Sequence, residues 1–213
     1  MSNPIRILLV DDHAVVRAGF TTLLQHEPGI EVVGEADSGE DALKLYPQLT
    51  PDIVIIDLSL PGIGGLETIK RIIARDSDAK LLVFSMHEDT AFVEQALHAG
   101  ARGYVGKSSA PTVLVEAVNR IATGAIFLDP DTAQALAFQK TKGNDSPFAE
   151  LSPREFEIFC LLAEGLSAAD VAKRLSISAK TVANYATQIK SKLDLDTSAE
   201  LARFAIRHGV VSA

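Results

Sequence analysis

Two periods of hydrophobic residues alternate over the first 125 positions. Short β-rich runs stand at Ile5–Val10, Ile30–Ala36, Ile53–Asp57, Lys80–Phe84 and Arg102–Val105. Between them, apolar residues recur at helical spacing. In Ala14–Leu24, for example, Val16, Phe20, Leu23 and Leu24 fall on one face. The other helical stretches are Asp41–Tyr46, Gly65–Ala74, Thr90–Ala99 and Pro111–Thr123. The runs Ile53–Ile56 and Leu81–Phe84 are apolar throughout, as strands covered on both faces are. Five such β–α units predict a doubly wound five-stranded parallel sheet with helices on both sides.

The pattern weakens over residues 124–149. Pro130–Gln139 suits a short helix, and Lys140–Pro147 (KTKGNDSP) has the composition of a linker. Helix signals then return. Ser152-Pro153-Arg154-Glu155 is a capping box with proline at the first helical position, followed by Phe156, Phe159, Cys160 and Ala163 on one face. Ser167 pairs with Asp170 as a second cap. Ser178 opens a third helix that places Val182, Tyr185, Ile189 and Leu193 together, and Leu201, Phe204 and Ala205 mark a fourth. The chain divides into an α/β domain at 1–125, a linker with a short helix at 126–149, and a small all-α four-helix domain at 150–213.

Composition narrows the class. Of 213 residues, 47% are hydrophobic, enough for real cores. Yet no apolar run approaches the roughly 18–20 residues of a membrane span, and the start MSNPIRILLVDD lacks a secretory signal. A soluble, cytoplasmic protein with no membrane partner is expected. The single cysteine, Cys160, sits in an apolar run and reads as a buried thiol; no disulfide framework can form. The net charge of −8 argues at first against nucleic acid, but it is uneven. Residues 1–125 hold 17 acids against 10 Lys and Arg, whereas residues 150–213 hold 8 of each. Lys173, Arg174, Lys180, Lys190 and Lys192 lie in a stretch free of acids.

Gly106-Lys107-Ser108 looks like the close of a phosphate-binding loop, but the first glycine of that motif falls on Ala101. The segment also follows a helix pattern instead of a strand. Lys107 instead lies just past the carboxyl end of the fifth strand. The first strand ends in Asp11-Asp12, the third in Asp57, the fourth in Ser85. In a parallel α/β sheet these ends share one edge, where ligands bind. Crowded carboxylates need a proton or a cation. An oxygen-rich site of this kind suits Mg²⁺, and with a lysine it can neutralise a phosphoryl group in transfer. A carboxylate can itself be the nucleophile.

The set Asp11-Asp12, Asp57 followed by Pro61-Gly62, Ser85 and Lys107 resembles the receiver domain of two-component response regulators, over residues 4–123. The resemblance implies a flavodoxin-like fold and a role at each position. Asp57 would accept the phosphoryl group. Asp11, Asp12, Asp57 and the Ser59 main-chain carbonyl would hold Mg²⁺. Ser85 and Lys107 would bind the phosphoryl group, and Tyr104 would turn inward on activation. Ser59 and His87 would tune dephosphorylation. Neither His13 nor His87 is given a metal role.

In the second domain, residues 168–193 form two helices joined at Ser176-Ile177, which is helix-turn-helix spacing. The outer face of the second helix shows Lys180, Thr181, Ala183, Asn184, Thr187 and Ser191, small and polar residues able to approach base edges. Lys173, Arg174, Lys190 and Lys192 suit backbone phosphates. The segments LSPRE (151–155), AEGLS (163–167), VAKRL (171–175) and KTV (180–182) are similar to the LuxR-type DNA-binding domain. Together the two halves resemble a response regulator of the NarL/FixJ type. That family often has basic residues at positions 183 and 187 and histidine at 185, where Ala183, Thr187 and Tyr185 stand here.

The expected function is a phosphorylation-gated transcription regulator. Its implied partners are a sensor histidine kinase, promoter DNA and a second copy of itself when active. Two other classes are compatible with the same residues: a Mg²⁺-dependent phosphatase with an aspartate nucleophile, and a phosphorylation-gated adaptor for protein or RNA.

Overall fold

The computed structural model describes residues 3–141 and 146–211. Its sheet is built from β1 (Ile5–Val10), β2 (Ile30–Ala36), β3 (Ile53–Ile56), β4 (Leu81–Ser85), β5 (Gly103–Gly106) and β6 (Phe127–Leu128). All pairings are parallel, in the order β2-β1-β3-β4-β5-β6. The intervening helices are α1 (Ala14–Gln25), α2 (Gly39–Leu49), α3 (Gly65–Arg75), α4 (Thr90–Ala99) and α5 (Pro111–Ala122), followed after β6 by α6 (Pro130–Thr141).

The continuous apolar runs divide by parity, because side chains alternate across a strand. Ile7, Leu9, Ile53, Ile55, Leu82, Phe84 and Val105 pack with α1 and α5 on one face. Leu8, Val10, Val54, Ile56, Leu81, Val83 and Tyr104 pack with α2, α3 and α4 on the other.

The five expected strands are all present, and the sheet has a sixth. β6 is only two residues long and pairs Phe127 with Gly103 and Leu128 with Tyr104. Such a piece is too short to show a period. Its place depends on Gly103, where a side chain would press on the Phe127 carbonyl. A second difference is α2, which the sequence pattern ends at Tyr46 and which runs on through Pro47 to Leu49. Proline leaves the carbonyl four residues earlier without its helical donor. That carbonyl, on Leu43, accepts instead from Arg75 Nη1 at 3.4 Å.

The C-terminal helices are α7 (Pro153–Ala163), α8 (Ala168–Arg174), α9 (Ala179–Lys192) and α10 (Ser198–Arg207). The starts of α7, α8 and α9 follow the sequence signals. Ser152 with Glu155 and Thr197 with Glu200 close full capping boxes, and Ser167 and Ser178 cap α8 and α9. The core of this domain is a cluster of rings: Phe148 lies 5.3 Å from Phe156, 5.2 Å from Phe159 and 5.8 Å from Phe204. The expected linker is ordered helix up to Thr141, while residues 142–145 lie outside the described ones.

The two domains share one apolar cluster. Phe92 of α4 meets Phe156 of α7, and Gln95 Nε2 donates to the Phe148 carbonyl at 2.7 Å. Arg154 ties three segments together. It donates to the carbonyls of Gly62 (2.9 Å) and Leu175 (3.0 Å) and pairs with Glu157 (2.6 Å). Gly62 N in turn donates to the Arg174 carbonyl at 3.3 Å. The contact therefore centres on the loop that directly follows β3.

Candidate functional site

Topology brings Asp11, Asp57, Ser85 and Lys107 to the carboxyl edge of the sheet, as their strand ends predict. Asp57 N donates to the Val10 carbonyl and Lys107 N to the Ser85 carbonyl, so the ladder itself fixes the spacing. Gly65 opens α3 directly over this edge. A Cβ there would lie 2.2 Å from the Asp57 carbonyl oxygen, so only glycine lets the helix start so close.

Asp11 and Asp57 are 2% and 3% exposed, and carboxylates so far from water need a partner charge. Lys107 supplies it, with Nζ 2.6 Å from Asp11 Oδ2 and 2.7 Å from Asp57 Oδ2. Burial works against the lysine's charge. The hydrogen bonds and attraction of the two acids outweigh it, and its pKa stands above the ordinary value. Asp12 lies at the more open side. One ligand atom each from Asp11, Asp12, Asp57 and His13 falls within 4.8 Å of the others. The three carboxylates of this set fit a divalent cation of the Mg²⁺ type. His13 enters the cluster through Nδ1, 2.8 Å from Asp12 Oδ1. His13 directly follows two strand-end acids, and that position is the signal in the sequence for its place here.

The neighbouring hydroxyl and ring groups form a second tier. Ser85 is fully buried, and its Oγ accepts from His87 N at 3.4 Å. Tyr104 is also fully buried, its hydroxyl donating to the His87 carbonyl. Its ring is thus already turned inward in this arrangement. Burial pushes the Tyr104 hydroxyl far above its usual pKa. His87 Nε2 lies 3.1 Å from Ser59 Oγ, and its ring stacks on Phe92 at 4.1 Å. Burial lowers the His87 pKa, against the pull of Asp57 and other acids.

In the helix-turn-helix, α8 and α9 meet through a turn in which Ser176 has φ +52°, the left-handed region. Val182 and Ile189 are buried, and Tyr185 is half-buried. Lys180, Ala183, Asn184, Thr187 and Ser191 are all exposed, on the outer face. Thr181 is half-buried, its hydroxyl 2.8 Å from that of Ser178, and the Thr187 hydroxyl donates to the Ala183 carbonyl. Two of the expected phosphate-binding cations are engaged within the domain. Lys192 Nζ pairs with the buried Glu155 at 2.7 Å, and Lys190 Nζ donates to the Asp196 carbonyl at 3.2 Å. No helix among the described residues is long and apolar enough to cross a membrane.

Comparison with known proteins matches both halves. A family model described as "Response regulator receiver domain" fits residues 7–119, and one described as "Bacterial regulatory proteins, luxR family" fits residues 149–205. The chain is 39% identical over 211 residues to the response regulator GacA of Pseudomonas aeruginosa, covering 98% of this chain and 99% of that protein. It is 38% identical over 211 residues to the response regulator UvrY of Escherichia coli, covering 98% and 97%. Among solved structures, RcsB of Salmonella enterica serovar Typhimurium bound to promoter P1flhDC with the phosphomimetic BeF3- aligns with a TM-score of 0.70 at 27% identity, over 95% of this chain and 98% of that one.

Proposed function

The chain belongs to the response regulators that join a receiver domain to a LuxR-type DNA-binding domain, and we propose that Asp57 is the phosphoacceptor through which it controls promoter binding. The observation that carries this is the bridge from Lys107 to both Asp11 and Asp57 in a nearly dry pocket. A carboxylate oxygen placed this way can serve as the nucleophile toward phosphorus. Residues 1–125 are taken as the receiver, 126–149 as the connector and 150–213 as the DNA-binding unit.

Each side chain has a share in the chemistry. Asp57 attacks phosphorus, and the donor's leaving group departs opposite. Lys107 exchanges its bond to Asp57 Oδ2 for one to a phosphoryl oxygen. Ser85 turns its hydroxyl to the same group. Asp11, Asp12, Asp57 and the Ser59 carbonyl would hold Mg²⁺, which supplies positive charge to the oxygens of donor and acceptor. Beyond this self-modification the chain has no enzymatic role. Withdrawing the Ser85 hydroxyl and the His87 backbone from their present bonds shifts the loop under Tyr104.

DNA is read by α9. Asn184, Thr187 and Ser191 approach bases, with Lys180, Thr181 and Ala183 beside them and Lys190 and Lys192 toward phosphates. The reading face has few cations, so affinity comes from two copies on two half-sites. A cytoplasmic histidine kinase supplies the phosphoryl group. The acceptor is tested by labelling with a small phosphodonor in Mg²⁺. Asp57→Asn is expected to remain unlabelled, and undiminished labelling would refute the assignment.

A further inference from the structure

The acidic pocket opens into a cleft of about 560 Å³ whose two walls belong to different domains. Asp12, Ser59 and Pro61 line it from the receiver. Asp170, Lys173, Arg174 and Ser176 line it from α8 and the turn that follows. The backbone bond from Gly62 N to the Arg174 carbonyl, and the Arg154 bridge from Gly62 to Leu175, hold this second wall in place.

The charges of that wall are unequal in their freedom. The Asp170 carboxylate accepts from the Ser167 hydroxyl at 2.6 Å, within its own helix cap. Both Lys173 and Arg174 are exposed. Among the described residues neither forms a side-chain ion pair or hydrogen bond, whereas Lys107 is fully committed to two acids. The mouth of an anionic pocket thus carries two cations contributed by the DNA-binding domain, Arg174 among them acting on Glu157 only through space.

We propose that the cleft between α8 and the β3–α3 loop is a two-domain binding site for a small dianionic phosphodonor of the acyl phosphate class, with Lys173 and Arg174 as its docking cations. The inference rests on the reading of Asp57 as acceptor. Acids at positions 12, 57 and 170 repel such a donor, and cations at the rim offset that repulsion and concentrate it. In the transfer, a bond forms between an Asp57 oxygen and phosphorus. The bond from phosphorus to the acyl oxygen breaks, and the carboxylate leaves with its electron pair. Lys173 and Arg174 act before this step, by binding. The same two side chains are candidates for DNA phosphates, so donor capture and DNA contact draw on one helix.

The test uses the full chain, acetyl phosphate and Mg²⁺, with phosphoaspartate followed by intact mass. In the double variant Lys173→Gln/Arg174→Gln, the half-saturating donor concentration is expected to rise by about threefold to tenfold while the rate at saturation holds. Raised salt brings the wild type toward the variant. Arg203→Gln/Arg207→Gln, an equal charge loss on α10, leaves the half-saturating concentration unchanged. Equal half-saturating concentrations in double variant and wild type overturn the proposal. Faster labelling of the variant also overturns it, because α8 would then only obstruct the cleft. Should the double variant not fold, the wild-type salt series decides, and a half-saturating concentration independent of salt overturns the site. Labelling that persists in Asp57→Asn is a separate result, and sinks the acceptor assignment itself.

Discussion

Phe92 stands edge-on to Phe156, with ring centres 5.1 Å apart and planes at 77°. The first belongs to the receiver, the second to the DNA-binding domain. The other side of Phe92 stacks on His87, whose carbonyl holds Tyr104 and whose ring reaches Ser59. A short chain of packed rings therefore runs from the acidic pocket to α7.

This contact predicts that the two domains melt together. Aromatic pairs contribute about 1 kcal/mol beyond their buried area. Phe92→Leu keeps most of the receiver core and loses the pair, so scanning calorimetry is expected to resolve two transitions where the wild type gives one.

Glu157 predicts a pH dependence. Burial against the Gly62–Gly64 loop raises its pKa from 4.5 to about 7, despite Arg154 and the more distant Arg174; Glu67 adds to the rise. The packed form therefore holds a proton between about pH 4.5 and 7 that the separated form releases. Packing weakens as pH rises through that window. His87, lowered by burial, acts in the opposite direction as pH falls. The comparison is thus wild type against Glu157→Gln: small-angle scattering at pH 5.5 and pH 8 is expected to show the wild type opening more, and the variant changing less.

Lys107→Ala predicts a conditional loss of stability. It leaves two buried carboxylates facing each other, and removing one member of a buried ion pair costs about 3–5 kcal/mol. Urea unfolding in chelator is expected to show a loss of about 3 kcal/mol, with millimolar Mg²⁺ restoring part of it. An equal loss with and without the cation speaks against a metal among these acids.

On DNA, Asn184→Ala and Thr187→Ala are expected to change operator preference, each costing about 1–3 kcal/mol at its base pair. Lys190→Ala is expected to weaken all sequences nearly alike and flatten the salt slope by about one. Binding selections on randomised duplexes check both.

The residues at the sheet edge were legible because strand ends follow from period alone. Asp57 and Lys107 are 50 positions apart, yet five β–α repeats require them to meet. The caps of α7, α8 and α9 were equally plain, since each is a local hydrogen-bond pattern. What escaped depends on contacts between distant segments. Continuation of α2 past Pro47 needs Arg75 to satisfy the Leu43 carbonyl. β6 needs the bare surface of Gly103. The pairing of Lys192 with Glu155, 37 positions away, has no local signal either. The seam between the domains has no periodic signature at all.

The outer face of α9 remains in water even while α7 and α8 lie against the receiver. Concealment of the reading surface is therefore not how this arrangement would keep a promoter quiet. The receiver instead fixes the direction in which α9 projects. An operator with paired half-sites about one helical turn apart accepts only certain mutual orientations of two such projections. If two copies bind together as proposed, regulation becomes a question of pitch and spacing: a docked receiver sets the angle at which a second reader can join the first.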